Sequence, residues 1–233
     1  MQTPQLSNNH LVFTRYGLYV AGRLKRLKHG DLEQLARDAS MSILARGRSR
    51  EDIALGFQEL KAQRDAIDDE LDAAAQTARR MLAARAQGAD RSAPYTDIFP
   101  RGIGYYIAAP LDEQVARYEE LIQRLKSFLP EDDPVRAEVL PLLEEGTVAF
   151  AEARKAVREH RIQIALARTE LTGTKESFNR SMNKIYGLLL ADDAVGKAKA
   201  EQVFPKTARK RSGASSDPEI DMDDTDDGDL DTE

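Results

Sequence analysis

Three histidines, His10, His29 and His160, supply all the imidazole in a 233-residue chain that contains no cysteine. Metal chemistry inside a helical protein asks for inward-facing Glu and for Glu-x-x-His pairs, because one turn of helix sets both ligands on the same face. None of the three histidines has Asp or Glu three positions before it, and His160 follows Val157. The missing cysteines exclude thiol nucleophiles, disulfides and thiolate-held metals together. No Gly-x-Ser-x-Gly nucleophile elbow occurs. The neighbouring carboxylates Asp68–Asp69 and Glu144–Glu145 would act on sugars only across a walled cleft. On charged helices they read as solvated faces. No catalytic residue, metal or cofactor is expected, and the protein is expected to be non-enzymatic.

The stretch "SAPYTDIFPRGIGYYIAAP", Ser92 to Pro110, concentrates four of the fourteen aromatic residues, seven Tyr and seven Phe, of the chain. Its "RGIG" resembles a fragment of a glycine-rich phosphate loop. The third glycine, a preceding strand and the Lys-Ser/Thr pair of such loops are missing. Tyr hydroxyls and Arg101 are weak equipment for catalysis but good anchors for protein recognition. Tyr95, Phe99, Arg101, Tyr105 and Tyr106 are therefore the candidate protein interface, on a loop (89–110) with no clear element of its own.

Charge suggests a second surface. Residues 1–50 hold nine basic side chains against three acids, the sign of an electrostatic footprint for an anionic partner. Arg15, Arg23, Lys25, Arg26, Lys28, Arg46, Arg48 and Arg50 are the candidate nucleic-acid contacts. Within this segment "LARDASMS" (Leu35 to Ser42) resembles the first helix and turn of some bacterial helix-turn-helix regulators, and "GRSREDIA" (Gly47 to Ala54) another type. Arg46 falls where the first pattern needs an apolar contact, and the second runs on without a turn. At the other end, "KTARKR" precedes a run from Gly213 to Glu233 with ten acids and no base. Such a run can compete with an anionic partner for basic segments.

The elements that must carry these groups are helical. Charged residues make up 32% and aromatics 6% of the chain, a composition suited to long amphipathic helices. Phe13, Tyr16, Val20, Leu24 and Leu27 mark a first helix over about 9–29, and Leu32, Leu35, Ala36, Ala39 and Ile43 a short second one. Gly47 is expected to break the chain and Ser49 to start a long helix, with the seam Ile53, Phe57, Leu60, Arg64, Ile67, Leu71, Ala74, Ala78, Met81. Val115, Tyr118, Leu121, Ile122, Leu125 and Leu129 mark another helix. Asp133 caps a last long one, with Pro134 at its first position, running from Phe150 through His160, Phe178 and Ile185 to about Ala191.

The expected fold is all-α: an elongated antiparallel bundle with coiled-coil-like hairpins and a disordered acidic C-terminal tail. Three parts are expected: a basic helical section at 9–48, a long-helix bundle at 49–191, and a flexible basic-then-acidic tail at 192–233. A seam this narrow, and polar at Arg64, Thr174 and Ser181, calls for a helix from another copy, so self-association, as a dimer, is expected. The functional expectation is a bacterial, cytoplasmic scaffold with a protein partner, and the alternative is a nucleic-acid-associated protein. No run of about 18 apolar residues is present to span a membrane.

Overall fold

The computed structural model describes residues 1–192 and 194–205, and over them the chain is built of helices and turns alone. Seven α-helices follow in order: α1 (His10–Arg26), α2 (Gly30–Ala83), α3 (Tyr95–Ile98), α4 (Gly104–Ile107), α5 (Gln114–Phe128), α6 (Pro134–Leu190) and α7 (Gly196–Val203). The fold is the expected all-α elongated bundle. Its frame is α2 and α6, of 54 and 57 residues, each about 80–86 Å long at 1.5 Å per residue. Arg46 pairs with Glu170, His160 meets Ile53, and Gly146 abuts Leu71. One number falls as the other rises, so the two helices run antiparallel.

Apolar burial is concentrated at the two ends of this pair. At one end α1 and α7 pack Phe13, Val20, Leu24, Val203 and Phe204 onto Ala36 and Ile43 of α2 and Phe178, Met182, Ile185 and Leu189 of α6. At the other, α3, α4 and α5 pack Ile98, Phe99, Tyr106, Tyr118, Leu121 and Leu125 onto Leu71, Ala75, Ala78 and Leu82 of α2 and Val139, Leu143 and Phe150 of α6. Between these heads α2 and α6 continue as a two-helix shaft. The molecule is a rod with a head at each end.

Local chemistry sets the turns. Asp133 accepts from the Val135 amide at 2.9 Å and Pro134 occupies the first helical position, as expected. At the α1–α2 turn the sequence offers Gly30 as the stop and Asp31 as an N-cap, and the structure uses neither in that way. The stop is Lys28, at φ 64, and the His29 amide donates to the Leu24 carbonyl at 3.2 Å. That bond is the signature of a Schellman stop, here without its usual glycine.

Three further boundaries depart from the sequence reading. Helix α2 passes through Gly47 without a break, because the glycine is buried beneath the His10 ring, where a Cβ would collide. The helix-turn-helix resemblance lapses with it, since both stretches lie on one continuous helix. The segment 89–110 is not structureless: it folds as a 3-10 turn (Ala89–Arg91) followed by α3 and α4. Residues 194–205 belong to the body rather than the tail, since Val195, Ala200, Val203 and Phe204 form an apolar face seated on the α1 head. The basic "KTARKR" and the acidic run lie outside the described residues.

Candidate interaction surfaces

The aromatic segment is turned inward. Tyr106 is fully buried and donates its hydroxyl to the Ile98 carbonyl at 3.1 Å, and Phe99 packs edge-on to it. Tyr105 donates to Glu120 Oε2 at 3.1 Å. Its ring lies between the guanidinium groups of Arg101 and Arg117, 4.5 and 4.4 Å from its centroid, a stacked cation–π arrangement. Tyr95 stands half-buried beside Phe99, and only Arg101 of the five is exposed. Four of the five candidate interface residues therefore form the wall of a head. Arg124 completes it by donating to the Asp97 carbonyl at 2.8 Å.

The basic candidates are divided. Gly17 of α1 faces Ser40 and His10 faces Gly47, so α1 lies antiparallel along α2. Arg23, Lys25, Arg26 and Lys28 therefore gather at the turn into α2. Arg46, Arg48 and Arg50 stand at the opposite end of α1, about 24 Å away by helix rise. Arg46 is engaged by Glu170 at 2.7 Å. Arg15 is exposed on the outer face of α1. The structure does not bring the eight together.

The histidines are structural neighbours of helix backbone. His10 is 5% exposed; burial holds its imidazole below the ordinary value, against a contrary pull from Glu51 and with further lowering from Lys175, Arg50 and Arg48. His160 meets the Ile53 carbonyl at 2.7 Å across the shaft and stacks on Phe57. Among the described residues no three His, Asp or Glu side chains stand together in a metal-holding arrangement.

One polar network escaped the sequence reading. Where α5 joins α2, Gln114 donates to Asp68 and Tyr118 donates to Asp72. Burial, reinforced by Asp72, Asp69 and Asp65, pushes the Asp68 carboxyl up to about 6 despite the lowering effect of Arg64. Burial also raises Asp72. The signal was present, since Asp65, Asp68 and Asp72 repeat at helical spacing, but their partners lie 46 residues away.

The shaft is the least covered part of the rod. Ser40, Gly47, Asp68, Ala75 and Leu82 of α2 share one face at multiples of seven residues. All but Asp68, which is half-buried under Gln114, are buried beneath α1 or the α5 head. Between them, Ala54 and Lys61 of the same face have no third helix above them. The seam is mixed here: Phe57, Arg64 and Val157 stay buried, while Ile53, Leu60, His160, Ile164 and Ala167 are half-buried. Leu166 and Ile162 are 60% and 59% exposed and Leu55 is 59% exposed.

A groove of about 200 Å³ runs past Leu166, Gln163, Ser49 and Ile53 on the side of the shaft away from α1 and α5. A second hollow, of about 430 Å³, lies by Arg79, Arg80, Asp90 and Tyr95. A small-molecule site is usually a walled, mostly apolar space of roughly 300–1,000 Å³ with convergent polar groups. The first is small for that, and the second is lined by charged tips.

The class defined by this geometry is an all-α, two-headed helical rod in which, among the described residues, no helix is long and apolar enough to cross a membrane. Comparison with protein-family models, curated proteins and solved structures returned no match.

Proposed function

We propose that the protein is a non-enzymatic scaffold that pairs with a second copy through its shaft and presents its two heads to other proteins. The observation that carries this reading is the half-buried seam. Between the heads, where only two helices are present, Phe57 and Val157 are buried, but Ile53, Leu60, Ile164 and Ala167 of the same seam are only half-buried, and Leu55, Ile162 and Leu166 are exposed. Two helices leave the flanks of an apolar seam partly wet, and a second copy laid alongside would cover them in a four-helix arrangement. The small side chains of Ala149 and Ala156 permit close approach on the face of α6 that bears Leu142 and Leu166. A cysteine-free composition suits the reducing cytoplasm.

The nucleic-acid alternative has less support, because its eight candidate contacts stand in separate places and Arg46 is ion-paired. Sedimentation equilibrium tests the preferred reading. The chain of 26.0 kDa is expected to sediment at twice that mass, and Leu166→Glu with Ile162→Glu to return it to the monomer with unchanged helicity. A wild-type monomer across the micromolar range would refute the pairing.

A further inference from the structure

The shaft has a second face, in line with α1 and α5, and its chemistry is different. Along α6, Arg154, Arg158, Arg161, Arg168 and Lys175 fall on one stripe, with Ala165 and Thr172 at the intervening positions. Steps of four and three residues keep them on one side of the helix. The stripe carries five cations and no acid. Its ends are fixed by the heads: Arg154 Nη1 lies 3.5 Å from the Asp112 carbonyl, where the chain enters α5. Lys175 Nζ donates to the carbonyls of Leu6 and Asn8 at 2.9 and 2.7 Å, where the chain enters α1. Arg158, Arg161 and Arg168 stand exposed between. On the facing stripe of α2, Arg64 grips Asp65, Gln114 bonds Asp68 and Tyr118 bonds Asp72, while Glu51 lies 3.7 Å from the buried His10 and Asp69 is exposed. The result is a basic channel about 32 Å long, by helix rise, closed at each end by a head.

We propose that this channel is the seat of the chain's own acidic segment, residues 217–233. Those 17 residues carry ten acids and no base, complementary to a stripe with the opposite bias. Extended, they span about 56 Å, enough to run the full stripe. The approach is short. Phe204 packs on Tyr186 and Tyr16, which sets Pro205 roughly 16 Å along α6 from Lys175. Residues 206–216 reach about 36 Å when extended. A linear polyanion seated this way is held by many weak contacts and is released by salt, since screening is nearly complete beyond about 10 Å at 0.1 M. The segment then acts as an intramolecular guard that any other polyanion must displace.

A spin label placed by Asp224→Cys is unique in this cysteine-free chain and tests the seat in the full-length protein. At about 50 mM salt, amide signals of residues 154–175 are expected to lose at least two-thirds of their intensity. The loss should vanish at about 0.5 M salt and in Arg161→Glu/Arg168→Glu, two exposed positions whose change leaves the head signals in place. If that variant unfolds, the salt titration of the parent decides. Undiminished α6 signals would overturn the proposal. So would broadening centred on Arg23–Lys28, or broadening that arises only between labelled and unlabelled chains, which would assign the segment to the other basic cluster or to a second copy.

Discussion

The two heads bury similar sets of apolar side chains by different means. In the α1 head, α1 approaches α2 and α6 closely because glycine leaves room, with Gly17 against Ser40 and Phe178 and Gly47 against His10; the α5 head has one such contact, Gly146 against Leu71. In the α5 head, the packing is fastened by polar hooks. Arg117 donates to the Tyr105 carbonyl at 2.6 Å, Arg124 to the Asp97 carbonyl, Arg85 to Asp133 at 2.5 Å, and Gln114 and Tyr118 to Asp68 and Asp72. Close packing penalises added volume, whereas hooks penalise lost partners and respond to protonation. One architecture thus yields two ends with opposite vulnerabilities.

The largest test of that contrast is a pair of substitutions read head by head in hydrogen exchange. Tyr106→Ala removes a fully buried ring and its bond to Ile98, and is expected to cost about 3–5 kcal/mol, confined to the α5 head. Gly17→Val forces atoms into Ser40 and Phe178, at about 1–3 kcal/mol, confined to the α1 head. Equal loosening of both heads by either change would erase the distinction.

A smaller effect comes from pH. The Asp68 carboxyl is raised from 3.8 to about 6 in the folded protein, so its stabilising share is full below about pH 4 and is lost as pH climbs through 6. His10 is lowered from 6.5, so its share is present above 6.5 and lost as pH falls through the lowered value. Acidification from pH 7 should therefore firm the α5 head and weaken the α1 head. Asp68 is partly solvated, which discounts its share to about 1 kcal/mol. Asp68→Asn, which keeps an acceptor for Gln114, should shrink the α5-head response across pH 4–7 to the share of Asp72, whose carboxyl is also raised by burial, and leave that of α1. A parallel response of both heads would contradict the assignment.

The long seams were legible in the sequence because heptad spacing survives any choice of partner: Phe57, Leu71 and Ala78, and Phe150, Phe178 and Ile185, are buried as their spacing demanded. Asp133 and Pro134 announced a helix start in local chemistry alone. Gly47 misled because glycine has two uses, ending a helix and admitting a neighbour, and only the arrival of His10 selects the second. Lys28 gave no warning as a helix stop, since its left-handed backbone is imposed by the turn that joins two packed helices. Residues 95–106 read as an exposed site because aromatics among prolines and glycines resemble a binding loop, and the helix ends that bury them lie elsewhere in the chain. The stripe from Arg154 to Lys175 was hidden in a helix read for its apolar seam.

Heads and shaft form the remaining contrast: the heads enclose their own cores, while the shaft leaves part of its seam half-buried, which the proposed second copy would cover. Hydrogen exchange at two protein concentrations, about 1 and 100 μM, tests this most directly. Amides of 50–66 and 152–168 should gain protection with concentration while those of both heads stay constant. Shaft protection that equals that of the heads and does not change with concentration would contradict the account.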